Sequence, residues 1–205
     1  MKIQKFIFMM LTVLLTIPQA LAISLNNQAL VYESYAAERK YDYNKASEIM
    51  SKVLHSNSKD YFTHLRLGYL FSYSKKYKNS VNHYETAAKI APESTEPWTA
   101  LSLLYLNIGD PENALTASNQ LLKIDSKNYY GTLRKGSSLI RLKKYSEALP
   151  VVEEGLAHYP SDLTFLEQKG FLLKSLGKDD EAKEILSYLL LLSPQNSYAK
   201  SILAK

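Results

Sequence analysis

The chain has no cysteine. That absence removes disulfides, thiol nucleophiles, thiolate metal sites and lipid attachment through a cysteine. The glycine motifs that cradle phosphates or present a nucleophilic serine are missing too: there is no G-x4-G-K-[ST], no G-x-G-x-x-G and no G-x-S-x-G. The four histidines, His55, His64, His83 and His158, show neither H-x3-H nor H-E-x-x-H spacing, so the sequence offers no local metal site. Charge of one sign is scarce. Lys and Arg number 25 against 20 Asp and Glu, and the excess is spread along the chain. A nucleic-acid binder concentrates its basic residues in a stripe, so nucleic acid is not an expected partner. Neither an enzyme, a cofactor nor a metal is expected.

Long apolar runs are absent everywhere except at the start. Lys2 and Lys5 precede an apolar stretch, Phe6–Ile17, which is followed by Pro18-Gln19-Ala20-Leu21-Ala22. A positive start, a short apolar core and an A-x-A ending are the three parts of a secretory signal, with cleavage expected after Ala22. The core is short against the roughly 20 residues of a membrane span, and no other stretch is apolar enough for one. Cleavage would leave 23 basic residues against 20 acidic, a net charge of +3.

What the remainder has is a period. Tyr61–Ser94 carries Leu67-Gly68, Phe71, Ser80, Ala87 and Pro92, and steps of 34 residues bring similar types back. Gly68 is answered by Gly136 and Gly170, Pro92 by Pro160 and Pro194. Ser80 stands in line with Ala46, Ala114, Ala148 and Ala182. A fixed period of this size marks a stack of identical supersecondary units. The expected plan is a lead-in at 23–26, five units at 27–60, 61–94, 95–128, 129–162 and 163–196, and a short capping helix at 197–205. A stack that ended bare would expose the apolar face of its last unit.

Each unit reads as two helices. In 95–128, Trp98, Leu101, Leu104, Tyr105 and Ile108 recur at three- and four-residue steps, which places them on one helical face. Gly109-Asp110-Pro111-Glu112 is turn chemistry, and Ala114, Leu115, Leu121, Leu122 and Ile124 supply the inner side of a second helix. The other turns fall at 41–44, 75–78, 143–146 and 177–180. Ser94 is the expected N-cap of the third unit, with Pro97 in the first turn. Gly68, Gly136 and Gly170 are expected to face the small-residue row at 46, 80, 114, 148 and 182, letting the paired helices approach.

With Trp98, Leu67-Gly68, Phe71, Tyr105, Tyr84, Ala87 and Pro92 matching by position, residues 27–196 resemble the tetratricopeptide repeat in one continuous register. The resemblance implies an all-α fold, an α-solenoid of helix-turn-helix units. Departures are concentrated in particular units: Glu33-Ser34 replaces the Leu-Gly pair, Lys135 and Lys169 take the Leu position, and Gly155 and Pro150 interrupt a second helix. The first and fourth units are accordingly expected to be softer, with Gly155 costing about 1 kcal/mol.

In proteins of that family the first helix of each unit lines the concave surface through positions 2, 5, 6, 9, 12 and 13. Carried onto this sequence, they give Tyr35 and Arg39; Phe62, Arg66, Tyr69 and Tyr73; Leu103 and Asn107; Tyr130, Arg134 and Arg141; Phe171 and Lys174. Aromatics interleaved with arginine suit partner recognition, and Arg can clamp carboxylates. The Lys-Asn pair by which chaperone-binding members hold a C-terminal carboxylate is missing, since the matching positions are Val31 with Tyr35, or Leu65 with Tyr69. His64 and His83 fall on paired helices of one unit and are expected to be one interfacial and one solvated histidine. The acids Glu153-Glu154 and Asp179-Asp180-Glu181 are expected to be solvated. The resulting expectation is a periplasmic, non-catalytic adaptor of the bacterial cell envelope that holds a peptide or partner helix. The alternative expectation is a repeat scaffold in exopolysaccharide export or glycan binding.

Overall fold

The computed structural model describes residues 19–204, so the expected signal core lies outside the described residues. Among them are eleven helices: α1 (Gln19–Glu38), α2 (Tyr43–Ser56), α3 (Tyr61–Tyr73), α4 (Tyr77–Ile90), α5 (Glu96–Asn107), α6 (Pro111–Ile124), α7 (Tyr129–Arg141), α8 (Tyr145–His158), α9 (Leu163–Ser175), α10 (Asp179–Leu192) and α11 (Ser197–Leu203). No strand occurs among the described residues. Residues 23–26, the expected lead-in, are helical within α1. No described helix is long and apolar enough to cross a membrane. The chain divides into two compact units, one ending at Ile90 and holding α1–α4, the other beginning at Ala91 and holding α5–α11.

The hairpins close by the same turn each time. Tyr41, Lys75, Gly109, Lys143 and Gly177 all have positive φ, between 59° and 80°, and they are spaced by 34 residues. In each turn the following amide donates back to the first helix: Asp42 to Ala37, Lys76 to Phe71, Asp110 to Tyr105, Lys144 to Leu139 and Lys178 to Leu173. This is the helix-terminating geometry that favours glycine, yet only two of the five positions have it. A side chain in that region costs roughly 1–2 kcal/mol, so three turns carry backbone strain.

First helices are capped with a period of 34 as well. Asp60, Asn128, Asp162 and Asn196 each accept from the amide three residues on, at Thr63, Gly131, Phe165 and Ala199. At Ser94 the same bond is impossible, because the residue three ahead is Pro97 and has no N–H. The helix starts one residue later than the Ser94 cap predicts, with Thr95 as cap residue making no side-chain cap bond. Ser94 Oγ accepts weakly from the Glu96 amide at 3.4 Å.

In the first unit the core joins Ala37, Ala46, Ile49, Met50, Val53, Leu67, Leu70 and Phe71. In the second, Leu139, Ala148, Val152, Phe165 and Leu172 form one cluster, and Leu166, Leu186, Leu189 and Ala199 form another. Ala199 brings α11 over the last hairpin. Ala46, Ser80, Ala114, Ala148 and Ala182 are all fully buried. Gly68 meets that row directly, its carbonyl accepting from Ser80 Oγ at 2.6 Å, but what closes on the glycine Cα atoms is a larger side chain. A Cβ on Gly68 would meet the Tyr84 ring at 2.6 Å, on Gly136 the Val152 side chain at 3.0 Å, and on Gly170 the Leu186 side chain at 2.3 Å. Each sits against the large residue one helical turn beyond the small one. Small and large therefore alternate across the hairpin, which is how facing helices fill space without voids.

Gly155 follows the same logic between hairpins. Its Cβ would lie 2.6 Å from two carbons of the Phe165 ring, and Phe165 is fully buried. One hairpin earlier the sizes are reversed, with Leu121 and Leu122 against Gly131. The glycine expected to weaken α8 is thus the socket for the largest core side chain of α9.

Candidate functional site

The first helices present the residues expected to meet a partner, but not all of them are available. Arg66 is 8% exposed and Arg134 is 9% exposed. Arg66 pairs with Glu38 at 2.6 Å, reaches Ser34 Oγ at 3.4 Å and lies 3.6 Å over the Tyr35 ring. Arg134 donates to the Thr99 carbonyl and to Ser102 Oγ, and lies 4.8 Å over Tyr130. Both tie a first helix to the first helix before it, α3 to α1 and α7 to α5. Burial pulls the Arg134 pKa down, partly offset by Tyr130. These two guanidiniums are structural, which corrects the sequence-based expectation that they face a ligand. Arg141 is exposed although one nitrogen donates to the Leu106 carbonyl, and Lys174 is exposed with an ion pair to Asp179 at 3.0 Å.

The remaining candidates divide between the two units. In the first, Tyr35, Arg39, Phe62 and Tyr73 are exposed and Tyr69 is half-buried. Tyr73 packs on Tyr69 and on Tyr43, with ring centroids 4.6 Å and 4.9 Å apart. In the second, Tyr130 is exposed and Phe171 half-buried, the latter packed edge-on against Tyr145 at 5.8 Å.

A cavity of about 250 Å³ opens in the second unit between α7, α9 and α11, lined by Ser137, Ile140, Arg141, Glu167, Gln168, Phe171 and Tyr198. Every one of these lies at position 2, 5, 6, 9, 12 or 13 of a 34-residue unit. Their register is thus that of the expected partner-facing positions, although only Arg141 and Phe171 are among the residues expected there from the sequence. Ser137, Ile140, Glu167 and Gln168 are neither aromatic nor arginine, so only their spacing sets them apart. Ile140 and Phe171 give the wall apolar surface, and Arg141 and Glu167 give it opposite charges. Glu167 accepts from Asn196 Nδ2 at 2.6 Å and Gln168 donates to Ser137 Oγ at 2.8 Å, so both side chains are held in place. Burial, and then the Glu167 carboxylate, raise the Tyr198 pKa, so its phenol stays protonated and can donate. Such a site can take an apolar side chain together with a polar or charged neighbour.

His64 and His83 meet directly, Nδ1 to Nδ1 at 3.0 Å. His64 is buried, with Nε2 at 3.1 Å from the Ser58 carbonyl; His83 is half-buried and stacks on Phe71 at 5.4 Å. With Nε2–H donating to Ser58, His64 Nδ1 is an acceptor and His83 Nδ1–H the donor, an arrangement that needs a neutral His64. Burial, then the charge His64 would carry, lower the His83 pKa to about 4. The ring expected to be solvated is thus only partly so, His83 being half-buried against Phe71 and His64.

Comparison with known proteins agrees with this geometry. A family model described as ChAPs (Chs5p-Arf1p-binding proteins) matches residues 42–138. The chain is 32% identical over 97 residues to the BBSome complex member BBS4 of Bos taurus, across 47% of this chain but only 18% of that relative. It thus spans less than a fifth of the curated relative's length. Among solved structures, a tetratricopeptide repeat protein from Parabacteroides merdae superposes with a TM-score of 0.79 at 21% identity, covering 88% of this chain and 72% of that one. YrrB, described as a tetratricopeptide-repeat protein with an unusual peptide-binding site, gives 0.73 at 15% identity over 86% and 91%. The period of 34, the repeated hairpin turn and these likenesses have one reading: the chain has the tetratricopeptide-repeat fold, an α-solenoid by class.

Proposed function

We propose that the chain is a non-catalytic adaptor of a bacterial cell envelope, and that it holds a segment of another protein in the cavity of its second unit. The observation that carries this reading is the cavity wall itself. Side chains of seven residues from three successive first helices line it, apolar at Ile140 and Phe171 and polar or charged at Arg141, Glu167 and Tyr198. A mixed lining of this kind, apolar surface with a few placed polar groups, is what peptide and small-ligand sites share. The likeness to YrrB, a protein with a peptide-binding site, favours a peptide occupant. The leader-like residues 1–22 favour export, with the periplasm as destination.

The test is a paired change, Phe171→Ala with Arg141→Glu. Both residues lie at the cavity and neither is fully buried, so helicity should be retained while capture of the partner from envelope extracts is lost. Capture at the parental level would refute the cavity as the docking site. Fractionation of cells expressing the full chain tests the location separately. Recovery with the cytosolic fraction would refute export.

A further inference from the structure

A second cavity, of about 460 Å³, lies in the first unit and has a different chemistry. Its lining is Tyr35, Glu38, Arg39, Tyr41, Tyr43 and Tyr69, with no aliphatic side chain among them. The rings are braced rather than loose: Tyr43 stacks on Tyr73, and Tyr73 packs on Tyr69. Tyrosines around a carboxylate would ordinarily hold a cation. Here that role is taken, because the Arg66 guanidinium already covers Tyr35 and neutralises Glu38.

The surroundings are positive. Arg39 and Lys40 lie at the end of α1, and Lys75 and Lys76 follow Tyr73. Among the described residues none of the four forms an ion pair with an acid, although Lys76 turns to the Phe71 ring, at 5.9 Å, and lines a separate cavity with Glu33 and Glu48. The acid in the turn, Asp42, is engaged in capping α2. The corresponding region of the second unit is different, since Lys144, Lys174 and Lys178 there are matched to Glu147, Asp179 and Glu181. The first unit thus combines flat aromatic walls with uncompensated cations.

A ligand that satisfies both needs a broad face of C–H groups and a fixed negative charge. Acidic peptide side chains carry the charge without the face, and neutral sugars the face without the charge. We propose that this pocket binds an acidic polysaccharide, one uronate pyranose resting on the tyrosine faces with its carboxylate toward Arg39, and neighbouring carboxylates toward Lys40 and Lys75. The site is separate from the cavity of the second unit, and neither reading depends on the other.

Isothermal titration of the full chain with an oligogalacturonate hexamer tests it, with maltohexaose and poly-L-glutamate as comparisons. Tyr41→Gly is the informative variant: Tyr41 is 80% exposed with a φ of 60°, so glycine removes the ring and relieves the backbone. The expected result is oligogalacturonate binding that weakens about tenfold in Tyr41→Gly and again in Arg39→Gln, a loss of about 1.4 kcal/mol each. Maltohexaose and poly-L-glutamate should bind at least about tenfold more weakly. Absence of oligogalacturonate binding would overturn the proposal. So would equal binding of poly-L-glutamate, which would show charge alone at work, or of maltohexaose, which would show that the cations play no part. Binding indifferent to Tyr41→Gly would overturn the pocket as its location.

Discussion

Gly155→Ala separates helix propensity from packing. On an exposed helical surface the change would stabilise by about 1 kcal/mol. Here the new methyl would lie 2.6 Å from two carbons of the Phe165 ring and 2.9 Å from a third. Phe165 cannot swing away, because it is fully buried among Leu139, Val152 and Leu172. Overpacking of this kind costs about 1–3 kcal/mol, so the net expectation is a loss of about 1 kcal/mol. Phe165→Leu alone should also destabilise, by about 1–2 kcal/mol. Together the two changes should lose less than their sum, by about 1 kcal/mol, since the smaller side chain admits the methyl. Urea unfolding followed by far-ultraviolet circular dichroism measures all four proteins of the cycle. A Gly155→Ala protein more stable than the parent, or strict additivity, would refute the socket.

Three further outcomes follow from the geometry. Lys75→Gly and Lys143→Gly should each stabilise by about 0.5–1 kcal/mol, because relief of the left-handed backbone outweighs the added entropy of the unfolded chain; thermal melts check this, and lower melting temperatures would contradict it. Arg66→Ala should destabilise by about 2 kcal/mol, leaving Glu38 and Ser34 without their partner, while partner capture by folded protein stays unchanged; lost capture with unchanged stability would restore Arg66 to the binding surface. Acidification should weaken the first unit. The His83 pKa is lowered from 6.5 to about 4, so the contribution is complete above about pH 6.5 and is lost as pH falls toward 4, where the unfolded chain takes up the proton first. His83→Gln should flatten melting temperature against pH across that window, and an unaltered slope would rule the pair out as its cause.

The parts of the fold legible in the sequence are those where one steric demand recurs. The small row from Ala46 to Ala182 and the turns from Tyr41 to Gly177 repeat because every hairpin closes in the same way. Legibility ends where a side chain's fate depends on a neighbour some thirty residues away. Arg66 and Arg141 are the same residue type on similar faces. Glu38 and Ser34 pull the first inward, whereas the second lines a cavity. Gly155 and Phe165 are matched across two helices, so neither reveals the pairing alone. The displaced start of α5 is a local exception, caused by a proline standing where the capped amide should be. At the cavity of the second unit, all seven residues share the register of the expected partner-facing positions, while the search for aromatics and arginine picked out only two of them, Arg141 and Phe171.

Site-specific photocrosslinking in cells expressing the full chain tests the central claim most directly. A photoreactive residue is placed at Phe171 or Tyr198, on the cavity wall, and at Lys183, exposed on a second helix. The account predicts a discrete protein adduct from Phe171 and Tyr198 and none from Lys183. Equal adducts from all three positions, or adducts from Lys183 alone, would contradict it.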